Sequence, residues 1–415
     1  MKTLGRLKTD LGERSTYDAA SQCSRCGYCE QSCPTYVATG REDLSPRGRN
    51  QLVRLLLEGK LQDKGSAREA LSTCLLCGGC QTTCYAHVST PDIVLEGRRM
   101  LEEKPPLAAR VLTGLLLRHP KVFVWLLKTS YTLKRLGISK AAQPLLRMLG
   151  LRGLAAADEH LRTVPSRLLF EQLRERAWST DPKWLYFAAC GTNYVFPRVG
   201  LATVKAMEAK RGQGAFLDNG CCGLLAYNYG DPNDARELAK RAIANAEKNG
   251  DVEIVADCSS CAAFLKSYAQ LFLGDQEWQP RAERFSARVR DVVEVFDRAG
   301  KKLSGPLTCH ESCRARHGQN LSAPKALLDS AGDFRPMAEA DACCGGAGAF
   351  SLLHPDLSNQ VLKRKVASIA AAQAKTVVTS STSCLLQLDA GLSKYYPSCT
   401  VMHVSELAAS DGDQA

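Results

Sequence analysis

The sequence predicts a helical, cysteine-rich N-terminal domain followed by a duplicated α/β domain with parallel sheets. Three observations predict it. Two four-cysteine runs of identical spacing lie within the first hundred of 415 residues. The later part of the chain repeats itself weakly. Within each repeat, short β-rich apolar runs alternate with amphipathic stretches. The predicted division is 1–100, the cysteine-run domain; 101–180, a basic apolar helical linker; 181–300, the first repeat; and 301–410, the second.

Composition narrows the class first. Hydrophobic residues are 45% of the chain, a globular proportion. Nineteen cysteines need a reason. The start, Met1-Lys-Thr-Leu-Gly-Arg-Leu-Lys-Thr-Asp10, has no apolar core of a secretory signal. The cysteines sit two and three residues apart, and two pairs are adjacent. Such spacing suits metal ligation better than structural disulfides. A reducing, cytoplasmic setting is expected. No run reaches 18 apolar residues, so no membrane-spanning helix is expected.

The first run is Cys23-x-x-Cys26-x-x-Cys29-x-x-x-Cys33-Pro34, and the second is Cys74-x-x-Cys77-x-x-Cys80-x-x-x-Cys84. This is the bacterial two-cluster [4Fe–4S] ferredoxin pattern. Three cysteines in a tight loop cover one face of a cubane, and the fourth points to the neighbouring cube. The expected ligand sets are therefore Cys23, Cys26, Cys29 and Cys84 for one cluster, and Cys74, Cys77, Cys80 and Cys33 for the other. Gly27, Gly78 and Gly79 let the backbone turn closely. Tyr85, rather than proline, follows Cys84. The competing reading is a pair of zinc knuckles, but zinc gains nothing from eight ligands in this rhythm. Forty residues separate Cys33 from Cys74, and Leu52-Val-Arg-Leu-Leu-Leu57 within them reads as a helix. A helical form of the two-cluster domain is predicted.

The repeats are found by sliding the chain against itself. Lys183–Cys190 pairs with Gly305–Cys313, Asn219-Gly-Cys-Cys-Gly223 with Asp341-Ala-Cys-Cys-Gly345, and Val255–Cys261 with Val378–Cys384. In each, an apolar run ends at the first cysteine. Helix-entry signals follow the vicinal pair, at Asp231-Pro-Asn-Asp234 and His354-Pro-Asp356. The amphipathic stretch Ala235–Ala244 comes next in repeat 1. The runs Val252–Val255 and Thr376–Thr379 then lead to the last cysteine. Open parallel sheets place ligands at the carboxyl ends of their strands.

Repeat 1 offers Cys190, Cys221, Cys222, Cys258 and Cys261. Repeat 2 offers Cys313, Cys343, Cys344 and Cys384, with Ser381 where repeat 1 has Cys258. Four thiolates per repeat can hold a further iron–sulfur cluster or a zinc ion; alternatively, one repeat is a vestige that only packs. Cys309 is extra, and Cys399 reads as an ordinary apolar residue. His310 and His317 flank Cys313. A histidine there either tunes a nearby centre by hydrogen bonding or is merely structural.

These features together resemble the iron–sulfur subunit of bacterial glycolate oxidase. The residues carrying the resemblance are Cys29-Glu-Gln-Ser-Cys-Pro-Thr-Tyr36, Pro46-Arg-Gly-Arg49, Cys343-Cys-Gly-Gly-Ala-Gly348 and Ser383-Cys384-Leu385-Leu386-Gln387. They are similar also to the iron–sulfur subunits of D-lactate dehydrogenase complexes, of anaerobic glycerol-3-phosphate dehydrogenase and of heterodisulfide reductase. The resemblance implies an electron-transfer subunit with no catalytic residues of its own. Electrons would come from a partner that binds FAD and oxidises a 2-hydroxy acid, and would go to a quinone or another carrier. The fuller Cys258-x-x-Cys261 of repeat 1 keeps open a heterodisulfide-reductase-like reading, in which the CCG sites reduce disulfides. There is no GxGxxG after a strand and no P-loop, so FAD is expected only on the partner.

The net charge of +11 is concentrated: Lys104 to Ala157 holds ten Lys or Arg and no Asp or Glu. Leu107–Arg118 and Val122–Lys128 interleave apolar and basic residues. Such helices either lie on the anionic inner face of the cell membrane or pack between domains with their charges solvated. Nucleic acid is not expected, because redox centres give it no role.

Overall fold

The computed structural model describes residues 5–10, 12–101, 107–148 and 152–410. The first four residues of the chain start and Lys104 of the basic count lie outside them. The chain opens with a hairpin, β1 (Arg6–Thr9) antiparallel to β2 (Gly12–Ser15). Helices α1 (Thr16–Ser21), α2 (Pro34–Thr39), α3 (Pro46–Leu57), α4 (Lys64–Ser72), α5 (Gly79–Thr82) and α6 (Thr90–Leu101) follow. The helix expected around Leu52–Leu57 is the second half of α3. Pro46 pre-sets its first turn, and Ser45 Oγ accepts from the Gly48 amide. Asp63 caps α4 in the same way. Val53, Leu71, Ile93 and Val94 meet in the core of this domain. At Gly97 a Cβ would sit 2.5 Å from Val53, so only glycine lets α6 approach α3 this closely.

Each repeat is built on a parallel sheet, as the strand–helix–strand pattern predicts. Repeat 1 orders β4 (Ala215–Phe216), β3 (Trp184–Phe187), β5 (Glu253–Ala256) and β6 (Val289–Asp291). Repeat 2 orders β7 (Leu307–His310), β8 (Thr376–Thr379) and β9 (Thr400–His403). The central register is the same in both: Trp184 pairs with Glu253, and Leu307 with Thr376. Repeat 2 keeps only a bridge, Leu307 to Phe334, beside β7, where repeat 1 has β4 beside β3. The helix after each vicinal pair starts at the signalled proline, over Pro232–Glu247 and Pro355–Ala371. Asp231 caps the first, accepting from the Asp234 amide at 3.0 Å.

Two hydrophobic cores tie the parts together. Alternate side chains of a strand point to opposite faces. Leu185 and Phe187 of β3 face a core that continues into the N-terminal domain and includes Leu7, Val53 and Ile93. Trp184 and Tyr186 face a second core shared with Leu307, Val378 and Val404 of repeat 2. Repeat 1 therefore lies between the N-terminal domain and repeat 2, buried on both faces. Arg98 reinforces the first junction, donating to the Asn228 carbonyl at 2.9 Å.

The basic segment forms α7 (Leu107–Arg118), α8 (Pro120–Arg135), α9 (Ile138–Met148) and α10 (Arg152–His160). Part of it packs inward: Tyr131 is buried and donates to the Tyr194 carbonyl at 2.8 Å. Arg118, Lys128 and Lys134 are committed to Asp234, Glu171 and Asp158. Val122, Trp125, Leu126, Leu136, Leu145 and Met148 remain exposed. Among the described residues, no helix is long and apolar enough to cross a membrane.

Candidate metal centres

All nineteen cysteines are free thiols. Seventeen gather in three places. Cys23, Cys26 and Cys29 lie on the loop after α1, and Cys84 follows α5. These four, with Cys80, line a cavity of about 120 Å³. Cys33, Cys74, Cys77 and Cys80 line an adjoining, tighter space of about 20 Å³. Each space thus collects three cysteines of one run and the last cysteine of the other. The glycines serve the turns. Gly27 and Gly78 have φ of +84° and +85°, where side chains are strained. At Gly78 a Cβ would lie 3.0 Å from His317 Cβ.

Donors converge on these sulfurs. Arg49 is buried and aims Nη1 at Cys33 Sγ, 3.8 Å away, and at Thr35 Oγ1, 3.0 Å away. Its Nε donates to the Ala70 carbonyl, which fixes the guanidinium. The Leu76 amide donates to Cys74 Sγ at 3.4 Å. Arg49 belongs to the Pro46–Arg49 motif, but its role is set by packing and is not visible in the motif. Burial, with Cys23, Cys84 and Cys33 nearby, pushes the Cys29 thiol up to about 12. Gathered thiols resist ionisation together unless a cation neutralises them. Cys26 is the exception: it is exposed, and the Tyr28 backbone holds its thiol below the usual range.

The CCG cysteines of both repeats open onto one shared space. Cys190, Cys221, Cys222, Cys258, Cys261, Cys313, Cys343, Cys344 and Cys384 all line one cavity of about 270 Å³ between the repeats. Its walls meet at strand ends, Cys190 and Cys313 three residues past β3 and β7. The Ser259 amide donates to the Ser380 carbonyl at 2.9 Å, locking repeat to repeat. At Gly191 a Cβ would lie 2.4 Å from Thr382 Oγ1, so the closeness requires glycine. The glycine of each CCG motif has a local reason as well. Gly223 and Gly345 are left-handed, at φ +89° and +86°, and turn their amides back to Cys221 and Cys343 Sγ at 3.4 and 3.5 Å. Ser381 reaches across to Cys258, with its Oγ 3.4 Å from Sγ.

Two outer cavities meet the same position of each repeat. One of about 520 Å³, with Phe170, Tyr194 and Val124 in its wall, reaches Cys221. One of about 420 Å³, between α2 and the helix Pro355–Ala371, reaches Cys343. The N-terminal domain also touches repeat 2. Leu75 packs with Cys343, Phe350 and Val361, and Cys77 and Cys313 border that cluster. Burial, then the charge of Cys313, pushes the Cys77 thiol up. His317 pins the contact, its Nδ1 2.7 Å from Thr82 Oγ1.

The remaining residues sort as follows. Cys309 lies on β7 in the core between the repeats, away from the cavity, and Cys399 in the repeat 2 core. His310, at the end of β7, is fully buried. Its ring lies within 4.8 Å of the Cys344 and Cys384 sulfurs. Burial keeps it neutral.

Comparison with known proteins finds matching domains. Residues 19–88 match the 4Fe-4S dicluster domain. Residues 184–266 and 307–389 each match the cysteine-rich CCG domain. Lactate utilization protein A of Exiguobacterium sp. is 33% identical over 56% of this chain and 100% of that protein. This chain belongs to the family of that protein and of the glycolate oxidase iron–sulfur subunits. Within the family, the probable glycolate oxidase iron-sulfur subunit of Bacillus subtilis is 28% identical, over 95% of this chain and 94% of its own. The glycolate oxidase iron-sulfur subunit of Escherichia coli is 28% identical over 88% and 89%.

Proposed function

We propose that this chain is the iron–sulfur electron-transfer subunit of a flavin-dependent 2-hydroxy-acid dehydrogenase, acting on glycolate or D-lactate. The hydroxy acid and the FAD belong to a partner subunit, and electrons leave to a quinone or another carrier. The observation that carries this reading is the unbroken series of thiols. It starts at exposed Cys26, passes Cys80, which borders both N-terminal spaces, and Cys77, and ends at Cys313 and Cys343 on the shared cavity.

We assign Cys23, Cys26, Cys29 and Cys84 to one [4Fe–4S] cluster, and Cys74, Cys77, Cys80 and Cys33 to a second, in the bacterial two-cluster form. The donor chemistry fits: free thiols, left-handed glycines and N–H groups aimed at sulfur. The CCG cysteines are assigned to further iron–sulfur or zinc binding. Bound clusters supply one-electron steps between a two-electron flavin and its acceptor. The protein's own part is to space the thiols, exclude water from the inner ones and set potentials through donors such as Arg49. The exposed apolar residues of α8 and α9 are assigned to peripheral contact with the cytoplasmic membrane face, where a quinone would be met.

One observation favours a second reading, reduction of a disulfide at the CCG cysteines. The 520 Å³ cavity gives a substrate a path to Cys221. One experiment separates the two. The chain is purified anaerobically with its FAD-binding partner and assayed for dye reduction with glycolate, D-lactate and glycerol 3-phosphate. The expected result is at least about eight iron atoms per chain and hydroxy-acid-dependent bleaching of iron–sulfur absorbance. Disulfide reduction with no response to any of the three substrates overturns the first reading.

A further inference from the structure

The two CCG repeats present their donors in the same order. In repeat 1 neighbouring thiols interact in the order Cys190, Cys221, Cys222, Cys261, Cys258. In repeat 2 the order is Cys313, Cys343, Cys344, Cys384. The fifth place falls to Ser381 by sequence; its hydroxyl meets Ser383 Oγ of its own repeat at 3.1 Å but also reaches across to repeat 1. Its hydroxyl lies 3.4 Å from Cys258 Sγ and 3.0 Å from Ser260 Oγ, both in repeat 1.

His310 stands at the end of the repeat 2 row. Its ring nitrogen and the sulfurs of Cys344 and Cys384 all lie within 4.8 Å of one another, and all three residues are buried. The ring is 0% exposed, and neither Nδ1 nor Nε2 has a hydrogen-bond partner. The Ala340 carbonyl approaches the ring without reaching hydrogen-bond geometry. Buried polar groups are almost always satisfied, so two bare nitrogens on one ring need an explanation. At the equivalent place, three residues before the first cysteine, repeat 1 carries Phe187. Repeat 1 thus has a fifth thiol and no imidazole, and repeat 2 has an imidazole and no fifth thiol.

We propose that His310 is a metal ligand: through one ring nitrogen it completes the donor set of Cys313, Cys343, Cys344 and Cys384 in repeat 2. The inference rests on the reading that the CCG region binds metal, and it makes the two centres chemically unlike. A neutral imidazole brings no negative charge, so a cluster with one nitrogen ligand is easier to reduce than an all-thiolate one. A zinc ion would instead sit in a mixed sulfur and nitrogen shell, a common structural set.

The test is spectroscopic and does not depend on turnover. The full chain is purified anaerobically with histidine labelled in ¹⁵N, and its iron and zinc are counted. Pulsed EPR then reads the reduced clusters, and X-ray absorption reads any zinc. The expected result is one strongly coupled histidine nitrogen on a cluster, or one nitrogen in the zinc shell. It should be lost in His310→Cys, which restores a fifth thiol and should lower the potential of that centre. An all-sulfur shell with no strongly coupled nitrogen in the wild-type chain overturns the proposal. So does a coupling that survives unchanged in His310→Cys. If His310→Cys does not fold, the wild-type spectra alone decide. Hydroxy-acid-dependent dye reduction with an all-sulfur shell would sink the ligand and leave the electron-transfer reading standing.

Discussion

The N-terminal turns and the CCG cavity gather thiols by different means. The N-terminal cysteines ride on short loops, mostly half-buried, with Cys26 exposed. Each loop has one left-handed glycine and a few N–H donors. The CCG cysteines stand at strand ends, most fully buried, and face one another across two repeats. Their geometry depends on sheet register and on the fit of one repeat against the other. The first arrangement leaves thiols near the surface. The second holds most of its thiols away from solvent.

The sharpest test of the N-terminal half is Cys33→Ser. Cys33 lines the space of the second run, so its loss should remove iron from the Cys74–Cys80 site first. About half of the N-terminal iron should go, and the EPR signal of the Cys23–Cys29 site should persist. Equal loss of both signals would break the crossed assignment. For the CCG half, Gly345→Val puts a side chain at φ +86° with Cβ 2.8 Å from the Ser358 carbonyl. A cost of roughly 2–4 kcal/mol is expected in denaturant titration, with metal lost from repeat 2. Gly250→Ala, left-handed at φ +70° but in open space, should cost only about 1 kcal/mol. A similar cost at both positions would deny the tight packing of the CCG turn.

Arg49→Met is a smaller probe of the N-terminal donors. It removes a buried cation and its hydrogen bonds, worth roughly 1.5–3 kcal/mol. It should also lower the potential of the site containing Cys33, because a positive charge beside the thiolates favours the reduced state. Potentiometric EPR would read the shift, and an unchanged potential would confine Arg49 to packing. The mildest change is Ser381→Ala, which takes one hydroxyl from Cys258 Sγ. Stability should fall by roughly 1 kcal/mol or less, and the repeat 1 centre should become slightly harder to reduce. A change at the repeat 2 centre instead would mean that Ser381 serves its own repeat.

Local structure was the most legible part of the sequence. Asp231-Pro and His354-Pro mark where the repeat helices begin, and Thr376–Thr379 is a strand as its β-branched run suggests. The parallel sheets followed from strand–helix–strand alternation. What spacing could not disclose is which faces meet. Nothing in the Cys-Cys-Gly motif says that both copies open onto one space, because that depends on Gly191 touching Thr382 and Ser259 bonding Ser380 across about 120 residues. The family motif containing Arg49 was visible, but its contact with Cys33 was not. The basic segment was half legible. Its helices form, but several charges are spent on acidic partners from later in the chain, and the apolar residues are left outside.

The core that joins the N-terminal helices to repeat 1 has a consequence for biosynthesis. Leu7, Val53 and Ile93 leave the ribosome long before Ile254 and Val289, their neighbours in that core. At roughly 5–20 residues per second, that delay is on the order of 10–40 s. Throughout it, eight thiols wait on a domain whose packing is incomplete. Iron–sulfur assembly would therefore compete with oxidation on the nascent chain, and synthesis under oxygen should yield less of the filled protein than synthesis without it.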